Sequence, residues 1–185
     1  KWSQDDYWGL AAFFGRVGKK SFTIPGRSND NGRNQFQVIF TKSNGSVTNK
    51  RTGKTADPKP LDGDPMKPAA EDDPRQLLAD WMTSPKNPFF ARAVANRYWA
   101  HFFGRGIVDP LDDMRVTNPP SNPELLDALA QNLVENKYSL KALIKTICKS
   151  RVYQLSAVPN ESNATDKQSY ARYYPKRLQA EVVFD

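Results

Sequence analysis

Three dipeptides set the frame of this chain: Asp73-Pro74, Asn87-Pro88 and Asn122-Pro123. Each puts a short side-chain acceptor immediately before a proline. The acceptor can take the orphan N–H groups of a first helical turn, and the proline has no N–H to leave unpaired there. They therefore mark three helix starts, and Ser139 marks a fourth before "LKALIKTICK". Apolar residues then recur at helical spacing: Leu77, Leu78 and Trp81 after the first cap; Leu125, Leu126, Leu129 and Leu133 after the third; Leu140, Leu143, Ile144 and Ile147 after the fourth. "PKRLQAEVVFD" reads as the beginning of a last helix. From residue 73 onward the chain is expected to be helical.

The first 72 residues follow other rules. "QDDYWGLAAFFGR" (4–16) reads as one helix, with Asp5 and Asp6 at its positive end. Tyr7, Leu10, Ala11 and Phe14 are expected on its inner face. "FQVIFT" is β-branched and aromatic, and Asn44-Gly45 supplies a tight-turn signal, so residues 36–52 are expected to form a hairpin turning at that dipeptide. Two strands alone are marginal in water, so such a hairpin must lean on something. "ADPKPLDGDPMKPAAEDDP" has too much proline for a central strand or long helix. The expected fold is mainly α, a multi-helix domain with a small β-hairpin appendage. It comprises a helix from the tail of a preceding domain (1–20), a hairpin and Pro-rich linker (21–72), and a C-terminally truncated helical domain (73–185). At 185 residues the chain can bury one core with a smaller appendage.

The helix expected over 88–103 stands apart. Phe90, Val94, Arg97 and His101 fall on one side, Trp99 and Phe103 on another, with Tyr98 and Phe102 between. Aromatic groups on nearly every side predict a central helix whose polar residues must find partners. His101 is the chain's one histidine. It is expected to be enclosed, in a polar cluster with Arg97 and at least one of Asp109, Asp112 or Asp113, with Arg115 close by. The other reading of His101, Arg97, Asp112 and Asp113 is catalytic, and it needs a cleft.

Other chemistries find little footing. The lone cysteine, Cys148, lies on an apolar helix face and reads as a small core residue. "DPLDDMRVTN" lacks the alternate oxygen ligands of a calcium loop, and one His with one Cys cannot cage zinc. No Cys-x-x-Cys-His haem attachment, phosphate-binding glycine loop or Gly-x-Ser-x-Gly elbow occurs. Neither a cofactor nor a metal is expected in this chain. The net charge of +7 reads as dispersed, which makes nucleic acid an unfavoured partner. No apolar run reaches the length of a membrane span.

Several long motifs occur in a characteristic order: "NPFFAR", "NRYWAHFFGRGIV", "DDMRVTNPPSNPELL", "YSLKALI", "SRVYQLS" and "YARYYPKRLQAE". With them the chain resembles the planctomycete-specific C-terminal domain of unknown function that accompanies planctomycete cytochrome c domains in large exported proteins. "DDYWGLAAFFGRV" resembles the tail of the domain that precedes it there. The resemblance implies a periplasmic or extracellular setting. It implies as partners the other domains of the same parent protein, a c-type cytochrome module among them. Haem c would belong to another part of that parent. No activity comes with the resemblance, so no catalytic residue is carried over. The expected role is therefore a structural or interaction domain. The alternative is an enzyme module acting on an extracellular substrate such as a polysaccharide, with its pocket around His101.

Overall fold

The computed structural model describes residues 2–23, 35–166, 168–178 and 180–184. The elements run α1 (Gln4–Ala12), β1 (Val17–Thr23), β2 (Gln35–Thr41), β3 (Val47–Thr48), β4 (Thr55–Ala56), α2 (Pro74–Thr83), α3 (Phe90–Phe103), α4 (Pro123–Glu135), α5 (Leu140–Lys149) and α6 (Ala180–Phe184). Helix dominates, with two small antiparallel strand pairs. The chain divides into two compact units, Lys1–Met82 and Thr83–Asp185.

In the first unit, Ser3 caps α1 in a capping box. Its hydroxyl accepts from the Asp6 N–H, while the Asp6 carboxylate takes the Ser3 N–H. The buried face of α1 differs from the expected one. Gly9, Ala12 and, just beyond the helix, Phe13 are buried, while Tyr7 and Phe14 are exposed. The reason is what α1 meets: it packs on β3 and β4, and Lys59 N–H bonds the Gly9 carbonyl at 3.0 Å. Such an approach favours small residues over rings. Asp73 caps α2 as expected, accepting the Arg75 N–H at 3.0 Å. The Arg75 guanidinium holds the Asp73 carboxyl well below the usual carboxylate range.

The hairpin over 36–52 does not form. β2 pairs instead with β1, an unanticipated strand, in the register Phe22↔Phe36, Lys20↔Val38, Gly18↔Phe40. Phe22 and Phe36 stack across it at 5.4 Å. Asn44-Gly45 carries the chain from β2 to β3. Gly45, at φ 155°, lies so close to another segment that a Cβ would meet the Gly15 carbonyl oxygen at 2.4 Å. Its glycine answers a close crossing, not a hairpin turn. The second, shorter hairpin joins β3 to β4. The buried Asn49 organises its turn, accepting the Arg51 N–H on Oδ1 at 2.9 Å and donating from Nδ2 to Asp5 at 3.0 Å.

In the second unit, α4 packs against both α3 and α5. Leu126, Leu129 and Leu133 of α4 and Leu143 and Ile147 of α5 are buried against Trp99 and Phe103. Asn122 and Ser139 cap as expected, accepting from Leu125 and Ala142. Asn87 instead caps a turn, taking the Phe89 and Phe90 N–H groups, and α3 begins at Phe90. Cys148 is half-buried and free.

α3 is the central helix, but its buried stripe is Ala91, Ala95, Asn96, Trp99, Ala100 and Phe103. The alanines let neighbouring elements close in, and Trp99 and Phe103 stack at 4.1 Å with Tyr170 edge-on to both. Asn96 is fully buried. Its Nδ2 donates to the Val108 carbonyl and its Oδ1 accepts the Val108 N–H, both at 2.9 Å. Gly106 admits this clasp: a Cβ there would meet the Val108 oxygen at 2.3 Å and Asn96 Oδ1 at 2.9 Å. The clasp binds the chain after α3, where Ile107 and Val108 are buried, back to the helix.

Removing one partner of a buried hydrogen bond costs the desolvation of the group left behind, about 1–3 kcal/mol. Asn96→Ala orphans both Val108 backbone groups. Urea denaturation is therefore expected to show a loss of about 2 kcal/mol or more. A loss under about 0.5 kcal/mol, the size of a neutral surface change, would contradict the clasp's role.

Candidate functional site

The chain segment that follows α3 is where the candidate residues gather. Gly104, in the left-handed conformation at φ 76°, ends the helix. Besides the Asn96 clasp, two further ties hold this segment. Ser121 donates its N–H and its hydroxyl to the Ile107 carbonyl, at 2.8 and 3.0 Å. The Tyr170 hydroxyl donates to the Gly106 carbonyl at 2.8 Å. Burial pushes that phenol's pKa up, so it keeps the proton it donates. Tyr170 itself sits at φ 54°, uncommon for an aromatic residue. The Asp166 carboxylate, which accepts the N–H groups of Ser169, Ala171 and Gln168, anchors the turn that delivers it. Those three N–H groups hold the Asp166 carboxyl well below the usual range.

On this segment and the last turns of α3, three arginine–aspartate pairs face water. Arg97 pairs with Asp112, Arg105 with Asp109 at 3.7 Å, and Arg115 with Asp113. Arg115 lowers the pKa of Asp113. The expected link between Arg97 and one of the three aspartates is present, through Asp112. Its setting is not the expected one: the Arg97 and Asp112 side chains are 63% and 85% exposed. Pairs this open are weak contributors to stability.

His101 corrects the expectation more sharply, since it is exposed. Its ring meets Phe102 edge-on at 5.2 Å, and among the described residues no hydrogen bond or ion pair reaches it. The cause is helical phase. The side carrying Arg97 and His101 is opposite the Ala91–Ala95–Trp99 stripe, so the apolar character around α3 does not close over it. His101 lines a shallow depression of about 330 Å³ with Arg97, Gly104, Arg105, Asp109 and Leu111. Asp112 and Asp113 are not among its lining. A second depression, of about 230 Å³, lies between Phe103, Arg105, Tyr170, Tyr174 and Lys176. Among the described residues, no three His, Cys, Asp or Glu side chains gather as metal ligands.

The residues that matter most to this site's shape, Asn96 and Tyr170, escaped the sequence reading. A usable signal existed for Asn96: a polar residue in phase with Ala91, Ala95, Trp99 and Phe103. Tyr170 lies 64 residues from its acceptor, a separation that local patterning does not reveal.

The fold and its rim of pairs define a helical domain. Residues 74–185 match the family described as PSD1, a protein of unknown function (DUF1553), and the chain belongs to that family. No curated protein and no solved structure matches it.

Because His101 is outside the packed core, His101→Ala should leave stability to urea within about 0.5 kcal/mol of the parent. A loss of about 2 kcal/mol, as for a buried polar group, would restore the enclosed reading.

Proposed function

We propose that this chain is a non-catalytic interaction domain of a larger exported, cytochrome-associated protein, and that it docks on other domains of that protein through the rim that closes α3. The observation that carries this reading is the contrast between the rim and its support. Charged groups of both signs, Arg97, Asp112, Arg105, Asp109, Arg115 and Asp113, are presented to solvent on α3 and on the segment after it, whose residues 106–108 are held by Tyr170, Ser121 and Asn96. A rigid surface has little conformational freedom to lose on binding. Alternating charges set the register of docking and speed encounter more than they add raw affinity. The exported, cytochrome-associated context rests on the motif resemblance alone.

A second reading is favoured by one observation, the accessibility of His101 in a depression beside Arg97, Arg105 and Asp109. There the chain would act on an extracellular polysaccharide, with His101 as proton carrier and the arginines holding an acidic sugar.

The two readings separate in one experiment. The rest of the parent polypeptide, produced as a separate chain, is titrated calorimetrically with this one. Binding is expected, weakened about tenfold or more by Arg97→Glu combined with Arg105→Glu and little changed by His101→Ala. No association, or association indifferent to both charge reversals, would overturn the interaction reading. Release of reducing ends from a uronate or sulfated polysaccharide, abolished by His101→Ala in a still-folded protein, would establish the second reading in its place.

A further inference from the structure

The β1–β2 ribbon is an amphipathic element. Among the described elements, its backbone packs against no other strand or helix. Its base is tied down: Thr41 donates to Asp73 at 2.9 Å and accepts from Arg75 at 3.0 Å. The register places Lys20, Phe22, Phe36, Val38 and Phe40 on one face. Lys19, Ser21, Gln37, Ile39 and Thr41 are on the other. The first face is the apolar one, yet Phe22, Phe36, Val38 and Phe40 are all exposed. Phe40 lies over Gly18, where a Cβ would clash with the ring at 2.6 Å, and the Lys20–Val38 pair separates it from the stacked Phe22 and Phe36.

The stretch of sequence that contains the ribbon's two strands is also where positive charge is concentrated. Between Arg16 and Lys42 the sequence holds Arg16, Lys19, Lys20, Arg27, Arg33 and Lys42 against the single acid Asp30. Most of the net +7 falls in this stretch, which the dispersal of charge over the whole chain conceals.

We infer that this ribbon docks on an anionic lipid surface, with its phenylalanine face lying in the interface and its lysines on the headgroups. An apolar face backed by a mostly polar one matches the boundary between hydrocarbon and water. Lysine stems can lie along apolar surface while their ammonium groups stay in water, and each cation near anionic headgroups adds attraction. Lys20 shares the apolar face, its ammonium in cation–π contact with the Phe22 ring at 5.2 Å from the ring centre. A second copy of the chain is disfavoured, since it would set one cationic ribbon against another. A protein partner fits less well, because lysine is depleted from protein–protein interfaces. Among the described residues no helix is long and apolar enough to cross a membrane.

The test is co-sedimentation with vesicles of phosphatidylcholine, with and without phosphatidylglycerol. Binding to the anionic vesicles is expected to be about tenfold tighter or more and to fall as salt rises. Lys19→Glu with Lys20→Glu should abolish that preference. Phe36→Ser with Phe40→Ser should weaken binding to anionic vesicles about tenfold while leaving binding to dextran sulfate, a soluble polyanion, unchanged. All four positions are exposed, and circular dichroism matching the parent's confirms that each variant is folded. Equal binding to both vesicle types, no binding, or vesicle binding that neither folded variant alters would overturn the inference. So would a loss on dextran sulfate as large as that on vesicles, which would assign the ribbon to a soluble polyanion.

Discussion

The second unit depends on one side chain. Asn96 is enclosed on α3, and its amide does for Val108 what a neighbouring strand would do, giving one acceptor and one donor to the same residue. A buried amide in an apolar core is costly unless its bonds are made, and here the bonds also meet the needs of a backbone that turns inward. Ile107 and Val108 can therefore enter the core as loop residues, where loops ordinarily leave buried N–H and C=O groups orphaned. Gly106 permits the approach, and Ser121 and Tyr170 hold the neighbouring carbonyls.

From this follows the division of labour around α3. Its buried stripe carries the hydrogen bonds and stacked rings that fix the fold, while its outer side carries Arg97 and His101. The arginine–aspartate pairs are exposed and thus poor candidates for holding the fold together. Displayed on rigid backbone, they are better suited to recognition. Family membership adds no activity, since the family is itself one of unknown function. The functional reading therefore rests on this arrangement and on the motif resemblance.

The helices were legible in the sequence because their signals are local. Asn122-Pro123, Ser139 and the leucines of α4 state where a helix starts and which side is buried, within a few residues of one another. The mainly helical fold class follows from them. The pairing of β2 was not legible. Asn44-Gly45 is a strong local turn signal, but the partner of "FQVIFT" lies upstream, where Phe22 stacks on Phe36 across the pair. The site fails for a related reason. Aromatic residues around nearly all of α3 predict a closed wall, but Tyr98 and Phe102 are only half-buried, and helical phase leaves an open sector at Arg97 and His101. The rim itself was half legible, since three aspartates beyond a helix bearing Arg97 made an ion pair there expected, although not its exposure.

The most direct test of the clasp is amide exchange in the native protein, resolved by residue. Val108 lies in a segment without regular secondary structure, where an amide unprotected by a partner exchanges within the freely opening range. If the Asn96 clasp governs the segment, the Val108 amide should exchange as slowly as those of Trp99 and Ala100 in the middle of α3, opening only with the whole unit. Exchange of Val108 as fast as that of surface loop amides, with Trp99 and Ala100 still protected, would contradict the account.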